Sequence, residues 1–165
     1  MTDQNQFDQS QTNTPQFGQN PVGESLEEQN VFDLLGVADG TDEEREQFLD
    51  ELQQVIWEDF LESDVELLVT VEEMAQVRSI TDKNIGDLEK QEELIVYLEK
   101  LIPDLEEIML EKALELKEDM MKERIAGMKE MFAGQEDKLS RIAEAEQLIS
   151  QNKWNSAAGV LNTVN

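Results

Sequence analysis

Apolar residues recur every three or four positions along most of the chain, which is the spacing that places them on one face of an α-helix. The clearest stripe follows Thr41-Asp42-Glu43-Glu44, a run with the capping-box pattern of a helix start. Its apolar residues are Phe48, Leu49, Leu52, Val55, Ile56, Phe60 and Leu61. A shorter helix is expected over 24–35, ended by Gly36 in a left-handed conformation. This periodicity predicts an all-α protein.

Two further capping-box patterns, at Ser63 and at Thr70, compete for the next helix start. We favour Thr70, because serine is tolerated inside a helix at a small cost in propensity and β-branched residues cluster at 69–71. A short helix from Val71 to about Ser79 follows. The polar residues and the glycine of 81–86 then indicate the main internal boundary.

Pro103 interrupts the periodic pattern of the second half. The apolar residues before it are Leu88, Leu94, Ile95, Leu98, Leu101 and Ile102. Proline cannot donate a backbone hydrogen bond and disfavours a helical conformation of the preceding residue, so we expect either a kink or a break. One long helix then runs to about Ala133 and stops at Gly134. Its stripe needs a partner along its length, either other helices of this chain or a second copy.

The last segment, 135–165, is expected to form an antiparallel αα-hairpin with Asn152 as the left-handed residue of its turn. The run 148–158 resembles the inter-helix portion of a tetratricopeptide repeat, with Trp154 after the turn and the small residue Ala157 three positions later. This resemblance occurs once, whereas stacked arrays need about three repeats. It implies a local packing arrangement in which Trp154 plugs the turn.

Glutamine and asparagine are frequent in the first 20 residues, where the only large aromatic side chains are Phe7 and Phe17. Such a segment buries too little apolar surface to offset the ordering of its backbone, so we expect it to be disordered. The prediction is therefore a small helical bundle in three parts. These are a disordered tail over 1–28, an acidic helical module over 29–80, and a long-helix module over 84–165.

The charge of the chain is strongly negative and unevenly distributed. Asp and Glu number 39 against 13 Lys and Arg, which gives a net charge of −26. Residues 1–77 carry 20 acids and one base, or −19, and the remainder carries −7. Nucleic acids and anionic membranes are bound through clustered Lys and Arg, so we expect neither as a ligand. A basic protein partner is favoured instead.

Catalytic and metal-binding residue types are scarce. The chain has no His and no Cys, which removes imidazole bases, thiol nucleophiles, disulfides and the usual zinc sites. Gly36, Gly40, Gly86 and Gly134 do not fit the glycine position of a calcium-binding loop, because the first position of such a loop requires Asp and would here be Val31, Leu35, Thr81 or Lys129. We predict no catalytic residue, no cofactor and no metal ligand. Residues 1–44 contain no Lys or Arg, unlike an export signal, so we expect a cytoplasmic location.

Five of the seven methionines lie on the long helix, at 109, 120, 121, 128 and 131. Methionine-rich surfaces are deformable and suit contacts with other proteins, although the same residues also fit a core or a dimer seam. With the aromatic residues of the neighbouring stripes, they give a set of candidate interaction residues. These are Trp57, Met109, Met120, Met121, Met128, Phe132 and Trp154.

The expected function is a non-enzymatic protein–protein interaction. The acidic first half attracts a basic partner, and the apolar stripe of the long helix supplies contact area. One alternative is a homodimer formed through the long helix. Another is mimicry of nucleic acid by the acids of 42–73.

Three motifs carry a family resemblance: NVFDLLG at 30–36, DEEREQFLDEL at 42–52 and WEDFL at 57–61. Together, over about residues 30–80, they resemble an acidic helical domain of unknown function found in candidate-phylum bacteria with reduced genomes. The resemblance implies a bacterial source and a small non-enzymatic protein. It assigns no functional residue.

Overall fold

The structure is a computed structural model that describes residues 23–37 and 39–164. This part of the chain is all α-helical, as predicted, and contains no strand. A 3-10 helix over Leu26–Glu28 precedes the α-helices. These are α1 Val31–Leu35, α2 Asp42–Asp59, α3 Val65–Leu68, α4 Val71–Thr81, α5 Asp87–Leu101, α6 Leu105–Met131, α7 Glu136–Ser150 and α8 Trp154–Asn162.

Two capping boxes begin α2 and α4, and both predictions are confirmed. At the start of α2 the backbone N–H of Thr41 donates to Glu44 Oε2 at 2.8 Å, and the N–H of Glu44 donates to the Thr41 hydroxyl at 3.2 Å. The backbone N–H and the hydroxyl of Thr41 lower the pKa of the Glu44 carboxyl. Thr70 and Glu73 form the same pair at the start of α4.

The chain stays helical through Ser63, in agreement with the choice of Thr70 as the next cap. A π-helical turn over Phe60–Asp64 joins α2 to α3 without a loop. A π turn holds one more residue than an α turn. It therefore changes which side chains beyond residue 60 face the rest of the bundle.

The predicted helix over 24–35 is in fact two short helices. The side chain of Asn30 accepts a hydrogen bond from the N–H of Phe32 at 2.9 Å and caps α1. The backbone of Asn30 is extended, and this separates the two helices. The buried Gln29 lies between the two helices, and its Nε2 donates to the carbonyls of Gly23 and Ser25. Gly36 ends α1 with a φ of 69°, which confirms the left-handed cap.

Pro103 separates two helices, so of the two alternatives the break is observed. Ile102 is extended, with φ −119° and ψ 92°, and ends α5. α6 begins at Leu105 and ends at Met131, slightly inside the predicted limits. Gly134 follows in a left-handed conformation with a φ of 84°.

The described chain has two hydrophobic cores, and α6 runs through both. The central core consists of Trp57, Phe60, Val65, Val77, Ile80, Leu94, Leu98, Ile102 and Leu105. The C-terminal core consists of Leu34, Met121, Ile125, Ile142, Ala145, Trp154, Ala157, Ala158 and Leu161. The long stripe of α6 is thus packed against helices of the same chain.

This packing does not follow the predicted division at 80–84. Val77 and Ile80 of α4 pack in one core with Leu94 and Leu98 of α5, so the central core crosses the polar turn. α1 joins the C-terminal core, although it lies in the predicted acidic module. Of the predicted tail, 1–22 lies outside the described residues, whereas Leu26–Glu28 is ordered as a 3-10 helix.

The C-terminal hairpin has the predicted form. Asn152 has a φ of 59°, and its Oδ1 accepts a hydrogen bond of 2.8 Å from Nε1 of Trp154. The Trp154 side chain is buried in the C-terminal core. Its backbone N–H donates to the carbonyl of Glu24 at 2.9 Å, which attaches the start of the described chain to the turn.

Candidate interaction groove

A groove of about 740 Å³ lies between α2, α5 and α6. It lies at the corner where Pro103 separates α5 from α6. α5 packs closely along α4, and the groove opens between α5 and the helices α2 and α6. The lining residues are Gln53, Ile56, Trp57, Gln91, Ile95, Glu99, Ile102, Pro103, Leu105, Glu106, Met109, Leu110 and Ala113.

The floor of the groove is apolar. Ile56, Ile95 and Met109 are half-buried, one from each of the three helices. Leu110 lies beside Met109 and leaves 57% of its surface exposed. Ile95 and Met109 also pack against the central core, which holds the floor in place. A partner that covers these side chains removes apolar surface from water, and that is favourable for association.

The polar lining residues give the groove a negative charge. Glu99 of α5 and Glu106 of α6 lie on either side of Pro103, and neither forms an ion pair within the described chain. No basic side chain is among the described residues that line the groove. α2 as a whole has eight acidic residues and one arginine over Asp42–Asp59, although the residues that it contributes to the groove lining are Gln53, Ile56 and Trp57. The groove thus combines an apolar floor with carboxylates that lack a partner.

Lys112 fixes the α2 wall to α6 from the side next to the groove. Its Nζ lies 2.5 Å from Oδ2 of Asp59 and 2.5 Å from Oδ2 of Asp64. These two carboxylates bracket the π-helical turn, whose wider winding brings residues five apart to the same side. The two carboxylates raise the pKa of Lys112, and the hydrogen bond from Lys112 lowers the pKa of Asp59.

Two other basic residues of α6 are partly buried in contacts with backbone carbonyls. Lys117 Nζ donates to the carbonyl of Gln29 at 3.0 Å, and Arg124 donates to the carbonyl of Leu34. Burial lowers the pKa of both groups. These side chains attach the 3-10 helix and α1 to α6, so they serve internal packing.

The candidate interaction residues fall into three groups. Only Trp57 and Met109 line the groove, and Trp57 is itself buried in the central core. Met121 and Trp154 are buried in the C-terminal core. Met120, Met128 and Phe132 are half-buried. Of these, Met128 and Phe132 pack against the C-terminal core.

The sequence pattern did not reveal Leu110, Glu99 and Glu106 as groove residues. Leu110 does not belong to the apolar stripe that α6 packs into the two cores, and it is exposed. An apolar residue outside that stripe was the one sequence signal that could have identified it as a surface contact. The two glutamates were indistinguishable from the many other acids of the chain. Their position in the groove lining depends on how α5 and α6 are placed relative to each other, which is a property of the tertiary packing.

No grouping of acidic side chains suited to a metal ion occurs over 23–37 and 39–164. Within the same ranges, no helix combines the length and apolar character required to span a bilayer. No known protein-family model matches the chain, and neither curated proteins nor solved structures show significant similarity to it.

Proposed function

We propose that this chain is a protein-interaction module that binds a basic partner in the groove between α2, α5 and α6. The observation that carries the proposal is the exposed Leu110 next to Met109, on an apolar floor whose neighbouring carboxylates lack a counter-ion. An apolar surface of this kind supplies affinity, and the charges around it supply orientation.

The net charge of −26 also favours a basic partner. A strongly acidic surface speeds encounter with a basic protein and repels acidic ones, and salt screens both effects. The groove is lined by 13 residues, fewer than the roughly 20–30 residues that each partner contributes to a standard interface, so we expect a transient complex of micromolar affinity.

Site-specific photo-cross-linking in the organism that encodes the chain tests this proposal. A benzophenone side chain replaces Leu110 in one variant and Met131 in the other, since both residues are exposed and lie on α6. We expect a basic protein to be cross-linked at position 110 and not at 131, with a yield that falls as salt rises. The same proteins at both positions, or only a second copy of the chain, would contradict the proposal.

A further inference from the structure

We infer that the occupant of the groove is a short amphipathic α-helix, about two turns long in contact, whose polar face carries Lys or Arg. This inference rests on the proposed function and specifies the chemistry of its partner. It follows from the length of the groove, the elements that line it and its charge.

The length of the groove corresponds to about two helical turns. On α5 the lining runs from Gln91 to Glu99, and on α6 from Leu105 to Ala113. At 1.5 Å per residue each of these stretches spans about 12 Å. Two turns of an α-helix are about 11 Å long and present three or four side chains on one face.

The lining elements favour a helix over an extended peptide. An extended peptide gains affinity mainly by adding hydrogen bonds to the edge of a sheet. The described part of the chain has no strand, so it offers no such edge. A helix satisfies its own backbone groups and places apolar side chains at helical spacing against Ile95, Met109 and Leu110.

The carboxylates give the occupant its polar chemistry. Glu99 and Glu106 flank the Pro103 end of the groove, where cationic side chains of the partner reach them. Lys and Arg suit this position because their long apolar stems cover the floor while their charged ends stay in water. Gln53 and Gln91, the other polar lining residues, are neutral.

Charge argues against a second copy of this chain as the occupant. The most exposed large apolar residues of the described chain, Leu67 at 81% and Val71 at 83%, lie beside Glu66 and Glu72. Docked in the groove, they would bring these carboxylates towards Glu99 and Glu106. Like charges placed together at an interface cost affinity.

Fluorescence anisotropy with a labelled peptide of about 14 residues tests the inference on the full chain. The peptide has leucines on one helical face and lysines on the other. We expect micromolar binding that Leu110→Gln weakens about fivefold, because part of the apolar contact is lost. Met131→Gln is the matched control, and its affinity should equal that of the wild-type chain.

The charge requirement is tested with a second pair of variants. Glu99→Gln with Glu106→Gln should weaken peptide binding several-fold at low salt, and this difference should disappear at about 0.5 M salt. Glu123→Gln with Glu144→Gln removes the same charge from exposed positions far along α6 and on α7 and should have a smaller effect. Equal effects of the two pairs would overturn the assigned role of the groove carboxylates.

Two peptide controls test the helical form and the charge of the occupant. A version with a central proline cannot form a continuous helix, and a version with glutamates for lysines has the wrong charge. Binding of the proline version as tight as that of the original peptide would overturn the inference. Equal affinities of the original peptide for the Leu110→Gln and Met131→Gln variants would also overturn it. A partner cross-linked at 110 without peptide binding overturns the helical occupant alone, whereas the absence of any cross-link at 110 overturns both proposals.

Discussion

Arg124 and Asn162 are joined by a hydrogen bond of 2.8 Å from Nη2 of the guanidinium to Oδ1 of the amide. The same two side chains complete the end of α1: Arg124 donates to the carbonyl of Leu34, and Nδ2 of Asn162 donates to the carbonyl of Asp33 at 3.2 Å. The last carbonyls of a helix have no partner within it. A helix as short as α1 is not stable alone, so α6 and α8 hold it in place through these contacts.

Arg124→Met should therefore destabilise the protein. The substitution leaves the partly buried carbonyl of Leu34 without its donor, which costs about 1–3 kcal/mol. Urea unfolding followed by circular dichroism measures the change. Arg141→Met is the matched control, because Arg141 is exposed on α7, and we expect less than about 0.5 kcal/mol there. Equal effects at both positions would show that the contact between Arg124 and α1 contributes nothing to the stability of the protein.

Gly36 and Gly134 have similar backbone conformations in different surroundings. A Cβ at Gly36 would lie 2.7 Å from Nη2 of Arg124 and 2.7 Å from Oδ1 of Asn162, whereas at Gly134 nothing lies within 4 Å. Gly134→Ala should cost about 1–2 kcal/mol from the left-handed conformation alone. Gly36→Ala should cost more, because it also displaces the Arg124–Asn162 pair. Thermal unfolding of the two variants side by side measures the difference in stability. Equal losses of stability would contradict the crowding of a Cβ at Gly36 by Arg124 and Asn162.

Lys112→Met should remove about 1–2 kcal/mol near neutral pH, because Asp59 and Asp64 are left facing each other. The expected loss of stability is closer to that of a surface ion pair than to that of a buried one, since Asp59 is exposed. Lys100→Met, on an exposed lysine without an ion pair in the described chain, is the control. Chemical unfolding of both variants between acid and alkaline pH gives the comparison.

The pKa shifts predict how this difference changes with pH. The pKa of Asp59 is lowered in the folded chain, so its contribution is present above the ordinary aspartate value of about 3.9 and is lost as pH falls through the lowered pKa. The pKa of Lys112 is raised, so its contribution is present below about 10.4 and is lost as pH rises through the raised pKa. A difference that varies between about pH 5 and 9 would contradict the assignment.

Asn152 offers a test of the hairpin turn. Asn152→Gly keeps the left-handed conformation accessible but removes the acceptor for Nε1 of Trp154, so we expect a loss of about 1 kcal/mol. Asn152→Ala also introduces backbone strain and should cost more. The two variants are compared by urea unfolding, and an Ala variant as stable as the Gly variant would argue against strain at this turn.

The features predicted correctly from the sequence are those that neighbouring residues determine. The capping boxes at Thr41 and Thr70 and the left-handed residues Gly36 and Asn152 each depend on side chains or backbone preferences within a few positions. An interruption at Pro103, as either a kink or a break, was predicted from an equally local signal, and the structure shows the break. Such signals are readable because the relevant atoms belong to one short segment.

Features that depend on distant residues were not predicted. The π-helical turn lies beside Lys112, which comes from another helix, and no local pattern distinguishes it from an ordinary helix. The packing of α1 in the C-terminal core involves Arg124 and Asn162, about 90 and 129 positions away from the carbonyls they reach. The groove is formed by three helices that are distant in sequence, so the sequence pattern indicated Met109 and Trp57 but not the adjoining Leu110.

The most direct test of the central claim uses the methyl groups of the seven methionines as reporters in an NMR titration with the basic helical peptide. Met109 lines the groove, whereas Met131 is 73% exposed at the far end of the same helix. We predict that the Met109 signal shifts in proportion to occupancy and that the Met131 signal stays in place. A shift at Met131 with none at Met109, or equal shifts at both, would contradict binding in the groove.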